Sequence, residues 1–167
     1  APSRGLGDVY KRQVRHIAPG SASPMETAIV LLLCLPPRLG GYGLPRPVMN
    51  GRASLKKQAC RKPSDRRYRC DLLWPAADIA VEYDSFLHHG SRAKMADDAR
   101  RRNDLLARGT TVVSITGRTV WNLIELDEIA RLLARRMGKR LSTNGVGWRK
   151  AQHELHGMLT GSFFDER

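Results

Sequence analysis

The sequence is poor in cysteine, in long apolar runs and in acids. Its 167 residues include three cysteines, Cys34, Cys60 and Cys70, with no Cys-x-x-Cys pair. An odd count without a framework argues against a disulfide-stapled secreted fold and points to reduced thiols in the cytoplasm. Cys60 and Cys70 with His88 and His89 fit no common zinc-finger spacing, so a zinc site is not expected. The longest unbroken apolar run, Ala28 to Leu35, has eight residues, whereas a membrane-spanning helix takes roughly 20. Glu26 stands two residues before that run, Pro36-Pro37 ends it and no small-x-small cleavage site follows, which speaks against a signal peptide. Acids number 16 against 29 Lys and Arg, a formal net charge of +13. The excess points to a polyanionic partner, nucleic acid before an anionic membrane surface. No amphipathic Lys/Arg helix carries large apolar anchors, so no membrane partner is expected.

What is present is globular: hydrophobic residues make up 41% and charged residues 27%, in a chain long enough for one domain with its own core. Residues Asp8 to Gln13 (DVYKRQ) read as a translated sequencing adapter, so residues 1–13 are set aside and 1–23 are expected to be disordered. A native segment upstream, if missing, could hold a recognition domain. Residues 1–13 hold Arg4, Lys11 and Arg12 against Asp8, a net +2, which leaves +11 for the remainder. The polyanion argument survives the correction.

Ser23-Pro24 with Glu26 predicts a helix start, and the helix runs to about Leu35. Residues 38–47 are loop. Val48–Leu55 and Arg67–Leu73 read as strands joined by a basic loop; the interval 45–70 holds nine Lys or Arg and one acid. Asp78–Asp84 alternates as a strand, Ser91–Arg108 reads as a helix with Gly109 at its C′ position, and Thr110–Thr116 as a buried strand. The last two strands and their helix form a βαβ unit, expected to be parallel. A helical stripe runs from Leu126 to Met137, and a short helix over 148–159 is expected within a tail of residues 141–167. The order is α-β-β-β-α-β-α, a single mixed α/β domain over 24–140.

The few acids are placed for chemistry. A tight turn at Trp74–Asp78 makes a hairpin that brings Asp71 beside Glu82, and period two puts Glu82 and Asp84 on one face. Clustered carboxylates repel unless a cation neutralises them. Hard oxygen ligands favour Mg²⁺ or Mn²⁺, and such an ion in a basic field suits phosphodiester hydrolysis. His88 and His89 follow and suit general acid or base roles.

The pattern Asp71…Glu82-Tyr83-Asp84-Ser85-x-x-His88, followed by Asp98-x-x-Arg101-x-x-x-Leu105-x-x-x-Gly109, resembles the endonuclease-like domain related to very-short-patch-repair endonucleases, within the PD-(D/E)xK nuclease superfamily. The resemblance covers roughly residues 24–140. It implies a restriction-endonuclease-like mixed sheet of about four strands flanked by helices, and a DNA endonuclease using Mg²⁺ or Mn²⁺ and no small-molecule cofactor. By the same resemblance Asp71 and Glu82 are the metal-binding pair, Asp84 stands where the superfamily has lysine, and His88 assists proton transfer or contacts phosphate. Glu26 matches an accessory acid, while Asp98 and Arg101 brace the site or meet phosphate. Ser85 stands where glycine is usual and Cys70 where the superfamily has proline. The general base is therefore open between His88 and a metal-bound water.

Plainer roles stand beside these. Glu26 can simply favour the helix dipole, Asp98–Arg101 can be an i,i+3 surface pair, and Arg131, Arg135, Arg136, Lys139 and Arg140 can be a solvated helix face. Trp74 reads as core. Lys56, Lys57, Arg66 and Arg67 of the basic loop, with Lys94 and Arg101 on the following helix, are the expected DNA contacts. The rival reading is a DNA-binding module that keeps the nuclease fold without turnover, in a defence or toxin–antitoxin context.

Overall fold

The computed structural model describes residues 20–52, 68–85, 92–107 and 109–161. Ser23 caps helix α1 (Pro24–Cys34), its hydroxyl accepting the Glu26 N–H at 3.1 Å with Pro24 in the first turn. Residues 28 to 33 of α1 are all buried, so α1 is a core helix rather than a surface one. After a 3-10 turn at Pro37–Leu39 the chain doubles back. Tyr42, Gly43 and Leu44 then donate their N–H groups to the carbonyls of Leu32, Leu35 and Leu33. This satisfies carbonyls that a helix end otherwise leaves without partners.

Two glycines make the reversal possible. Gly40 has φ +90°, and a Cβ there would lie 2.3 Å from the Ala151 carbonyl oxygen; at Gly41 it would lie 2.1 Å from that of Leu35. Gly40→Ala is expected to cost roughly 2–3 kcal/mol through strain and overpacking. Thermal melting checks it, and an unchanged melting temperature would mean that this turn does not abut the last helix.

Four strands follow: β1 (Val48–Arg52), β2 (Arg69–Trp74), β3 (Ile79–Asp84) and β4 (Thr111–Thr116). They lie side by side in that order. β1 and β2 pair antiparallel, as do β2 and β3; β3 and β4 are parallel. The β2–β3 turn is a 3-10 segment, Pro75–Ala77, closed by Asp78 at φ +52°. Helix α2 (Arg92–Ala107) makes the crossover from β3 to β4, and Gly109 leaves it at φ +85°, the left-handed geometry that glycine adopts freely. The expected four-stranded mixed α/β sheet is thus present.

The sheet has unequal faces. On one, Leu72, Trp74, Ile79, Val81 and Ile115 join α1 and the C-terminal helices in the main core. Trp74 is a core residue, as its sequence context implied, and its indole N–H donates to the Pro45 carbonyl at 2.7 Å. On the other, Cys70, Leu73 and Ala80 meet Leu105, the buried apolar residue that α2 contributes.

The C-terminal part is richer than the sequence suggested. A short helix α3 (Gly117–Trp121) begins in a capping box between Thr116 and Thr119. Helix α4 (Leu123–Arg136) starts three residues earlier than its apolar stripe, because the Asn122 side chain caps it by accepting from Ile124 and Glu125. Helix α5 (Trp148–Gly161) is no loose tail: Trp148 and Leu155 belong to the main core and Gln152 is fully buried. Among the described residues no helix is long and apolar enough to cross a membrane.

Candidate functional site

The β2–β3 ladder runs from Trp74↔Ile79 to Leu72↔Val81. One more step would set Asp71 opposite Glu82. At that step the Asp71 carboxylate replaces a backbone acceptor: Oδ2 accepts the Tyr83 N–H at 2.8 Å. The β1–β2 ladder skips the same place, pairing Met49↔Leu72 and Gly51↔Cys70 around Asn50. Asn50 sits there at φ +49°, which asparagine tolerates better than most residues. The sheet is therefore locally interrupted where its acids gather.

Asn50 is the hub that sequence reasoning missed. Its Nδ2 donates to the Gly20 carbonyl at 2.6 Å and to Glu26 Oε2 at 3.0 Å, while its Oδ1 accepts Arg69 Nε at 2.8 Å. Glu26 Oε2 also accepts the Ala22 N–H at 2.8 Å. Glu26 is 7% exposed, so this carboxylate is tied down as part of the α1 entry. Across the sheet, Arg101 of α2 donates through Nη2 to Glu82 Oε1 and to the Arg69 carbonyl. The expected Asp98–Arg101 surface pair gives way to this ion pair with Glu82. Arg101 Nε is buried and has no hydrogen-bond partner among the described residues.

The electrostatics follow from this grouping. Burial raises the Asp71 carboxyl above its ordinary value; the Tyr83 N–H opposes the rise, Glu26 adds to it, and Arg101 and Arg69 oppose it. Burial likewise raises Glu82, with Arg101 opposing and Asp71 adding. Both acids are thus uncomfortable as bare anions. Burial also raises the thiols of Cys70 and Cys34, the latter up to about 12, so neither is an activated nucleophile.

Asp71, Glu82, Glu26 and Arg101 are brought together; other expected site residues are not. Asp84 is exposed at the last position of β3, about 6.6 Å further along the strand than Glu82. Glu26 has its Oε2 occupied as described, and its charge adds to the rise at Asp71. Accordingly, among the described residues no three His, Cys, Asp or Glu side chains form a metal-holding group. The pair Asp71 and Glu82 remains. Asp71 Oδ1 and Glu82 Oε2 take no hydrogen bond among the described residues. Two carboxylates with free oxygens fit Mg²⁺, which commonly binds through one or two carboxylates and completes its shell with water and phosphate. His88, Lys56, Lys57, Arg66 and Arg67 lie outside the described residues, and Lys94 is described in its backbone alone.

A second polar cluster lies in the C-terminal core. Tyr42 donates to Asp127 Oδ1; Gln152 Nε2 donates to Tyr42 Oη at 2.6 Å and to Asp127 Oδ1 at 3.1 Å. Arg149 donates to Asp127 Oδ2 at 2.9 Å and to Gln152 Oε1 at 2.6 Å, and its guanidinium stacks 4.6 Å over Trp148. This network locks α5 onto α4 and the Tyr42 loop. Comparison of the chain with protein-family models, with curated proteins and with solved structures finds no match.

Proposed function

We propose that the chain is a metal-dependent DNA endonuclease that hydrolyses phosphodiester bonds, with Mg²⁺ or Mn²⁺ held by Asp71 and Glu82. The observation that carries the reading is the Asp71–Glu82 pair. Two half-buried carboxylates sit on adjacent antiparallel strands, each with one oxygen that takes no hydrogen bond among the described residues, beside Arg69 and Arg101. Such a pair, costly as bare anions, gains from a divalent cation. The acid spacing that resembles very-short-patch-repair endonucleases supports the same reading, as does the +13 charge for DNA as the partner.

When bound, the ion supplies an acidified water and neutralises charge developing on the phosphate. The chain's own residues do the rest. Asp71 and Glu82 would hold the ion, and the Tyr83 N–H fixes the Asp71 rotamer by holding Oδ2. Arg69 and Arg101, beside the two acids, would supply cations to a scissile phosphate. His88, a few residues beyond β3, is the candidate to move a proton. A role in DNA repair or in defence against foreign DNA suits this activity.

Purified protein is expected to nick supercoiled plasmid in Mg²⁺, to stop in EDTA and to recover when Mg²⁺ is restored. Cleavage that persists in EDTA, or none by clean folded protein in either metal, contradicts the proposal. The Arg101–Glu82 ion pair favours a second reading, a DNA-binding module without turnover, since Glu82 is already neutralised. That reading expects salt-sensitive DNA binding without cleavage in any metal.

A further inference from the structure

Arg101 is placed oddly for a residue that only contacts DNA. Its Nη2 is committed to Glu82 and to the Arg69 carbonyl, both within the carboxylate centre. Its Nε is buried and has no hydrogen-bond partner among the described residues, an arrangement that carries a desolvation cost that water or a phosphate oxygen would remove. The side chain is nevertheless 30% exposed, so it borders solvent. A guanidinium on one member of the acid pair supplies the positive charge that a divalent cation would otherwise supply.

We infer that Arg101 is an internal counter-ion that occupies Glu82 in the metal-free protein, competes with the divalent ion for it, and moves to a DNA phosphate when the ion binds. The inference rests on the metal-dependent reading above. It assigns Arg101 two alternating partners: Glu82 in the resting protein, where its charge offsets that of Asp71, and phosphate in the loaded complex. The exchange couples metal loading to DNA binding, because each removes a competitor for the other. A planar five-donor guanidinium suits both partners, carboxylate and phosphate, in a way that lysine does not.

The test is Mn²⁺ titration of the full chain by calorimetry. Arg101→Gln, which keeps a donor but loses the charge, is expected to bind Mn²⁺ about tenfold more tightly than wild type. Arg101→Lys, which keeps a competing cation, is expected to stay close to wild type. A second readout uses wild-type protein labelled with ¹⁵N-arginine, so that it does not depend on a variant folding. Addition of Mg²⁺ should shift the Arg101 Nε–Hε resonance and speed its exchange with solvent. Equal or weaker Mn²⁺ binding by Arg101→Gln, or an unmoved resonance in protein that binds Mg²⁺, overturns the inference and leaves the metal site standing. Absence of Mn²⁺ binding in wild type and Arg101→Gln alike overturns both.

Discussion

Asp71→Asn is expected to abolish Mg²⁺-dependent strand cleavage while making the metal-free protein slightly more stable. The loss follows from removing one of two metal-holding carboxylates. A metal that contributes roughly 4 kcal/mol to transition-state stabilisation leaves a deficit of about a thousandfold in rate when lost. The gain has a separate origin. Burial raises the folded-state pKa of Asp71 above its ordinary 3.8, and Glu26 adds to the rise. For a carboxyl raised in this way, the associated stability is fully present below the unfolded value and is lost as pH rises through the folded value. At neutral pH the wild-type chain therefore carries an ionised group that folding disfavours. Asparagine removes the charge and still offers an oxygen to the Tyr83 N–H. The gain is expected near neutral pH and vanishes in acid. Paired melting curves at neutral and acidic pH, with nicking assays, check both halves. A variant both inactive and less stable at neutral pH would mean that Asp71 is chiefly a structural strand-end acceptor.

The largest stability loss is expected at Asp127→Ala, far from the proposed site. Its carboxylate is the shared acceptor for Tyr42, Gln152 and Arg149. Burial opposes its ionisation, but the hydrogen bonds from those partners hold it below the ordinary carboxylate value, whereas burial and the adjacent Asp127 push the Tyr42 hydroxyl up. Alanine would leave the Tyr42 hydroxyl and one N–H of the fully buried Gln152 amide without their acceptor, the other Gln152 N–H keeping Tyr42 Oη. Two unsatisfied buried donors cost about 3–4 kcal/mol together. In a domain of this size the melting temperature then falls by roughly 10 °C. The linkage runs opposite to that of Asp71: with the folded value lowered, the stability is present above 3.8 and is lost as pH falls through the folded value. Thermal melts of Asp127→Ala and Asp127→Asn read the effect, with asparagine losing less because it keeps one acceptor. A change of under a degree in the alanine variant would show that α5 is held by Trp148 and Leu155 alone.

Much of the sheet was legible because its signals are local. Alternation in Asp78–Asp84 and the β-branched run at Thr111–Thr116 are period-two patterns that need no partner to be read. The nearness of Asp71 and Glu82 was legible in part: a short turn fixes register as far as Leu72↔Val81, whereas the interruption at the next step, where the Asp71 carboxylate takes the Tyr83 N–H, carries no local signal. Helix α3 escaped because five residues with a leading glycine and β-branched Thr119 and Val120 carry little helical signal; its cap is visible once Thr116 is known to end a strand. Arg101 offered Asp98 as a nearby partner at helical spacing, but the fold supplied Glu82, 19 residues away, in a more buried position. Asn50 and the Tyr42–Asp127–Gln152 network were illegible because their meaning lies in long-range contacts, 85 and 110 residues apart in the latter case. A polar residue in a loop or on an amphipathic helix looks solvated until the element that covers it is placed.

The most direct test of the central claim is single-turnover cleavage of supercoiled plasmid in Mg²⁺ by wild type, Asp71→Asn and Glu82→Gln, with DNA binding measured alongside. The account predicts nicked and linear product from wild type alone, with DNA binding retained by all three proteins. Cleavage by both variants at the wild-type rate would contradict it.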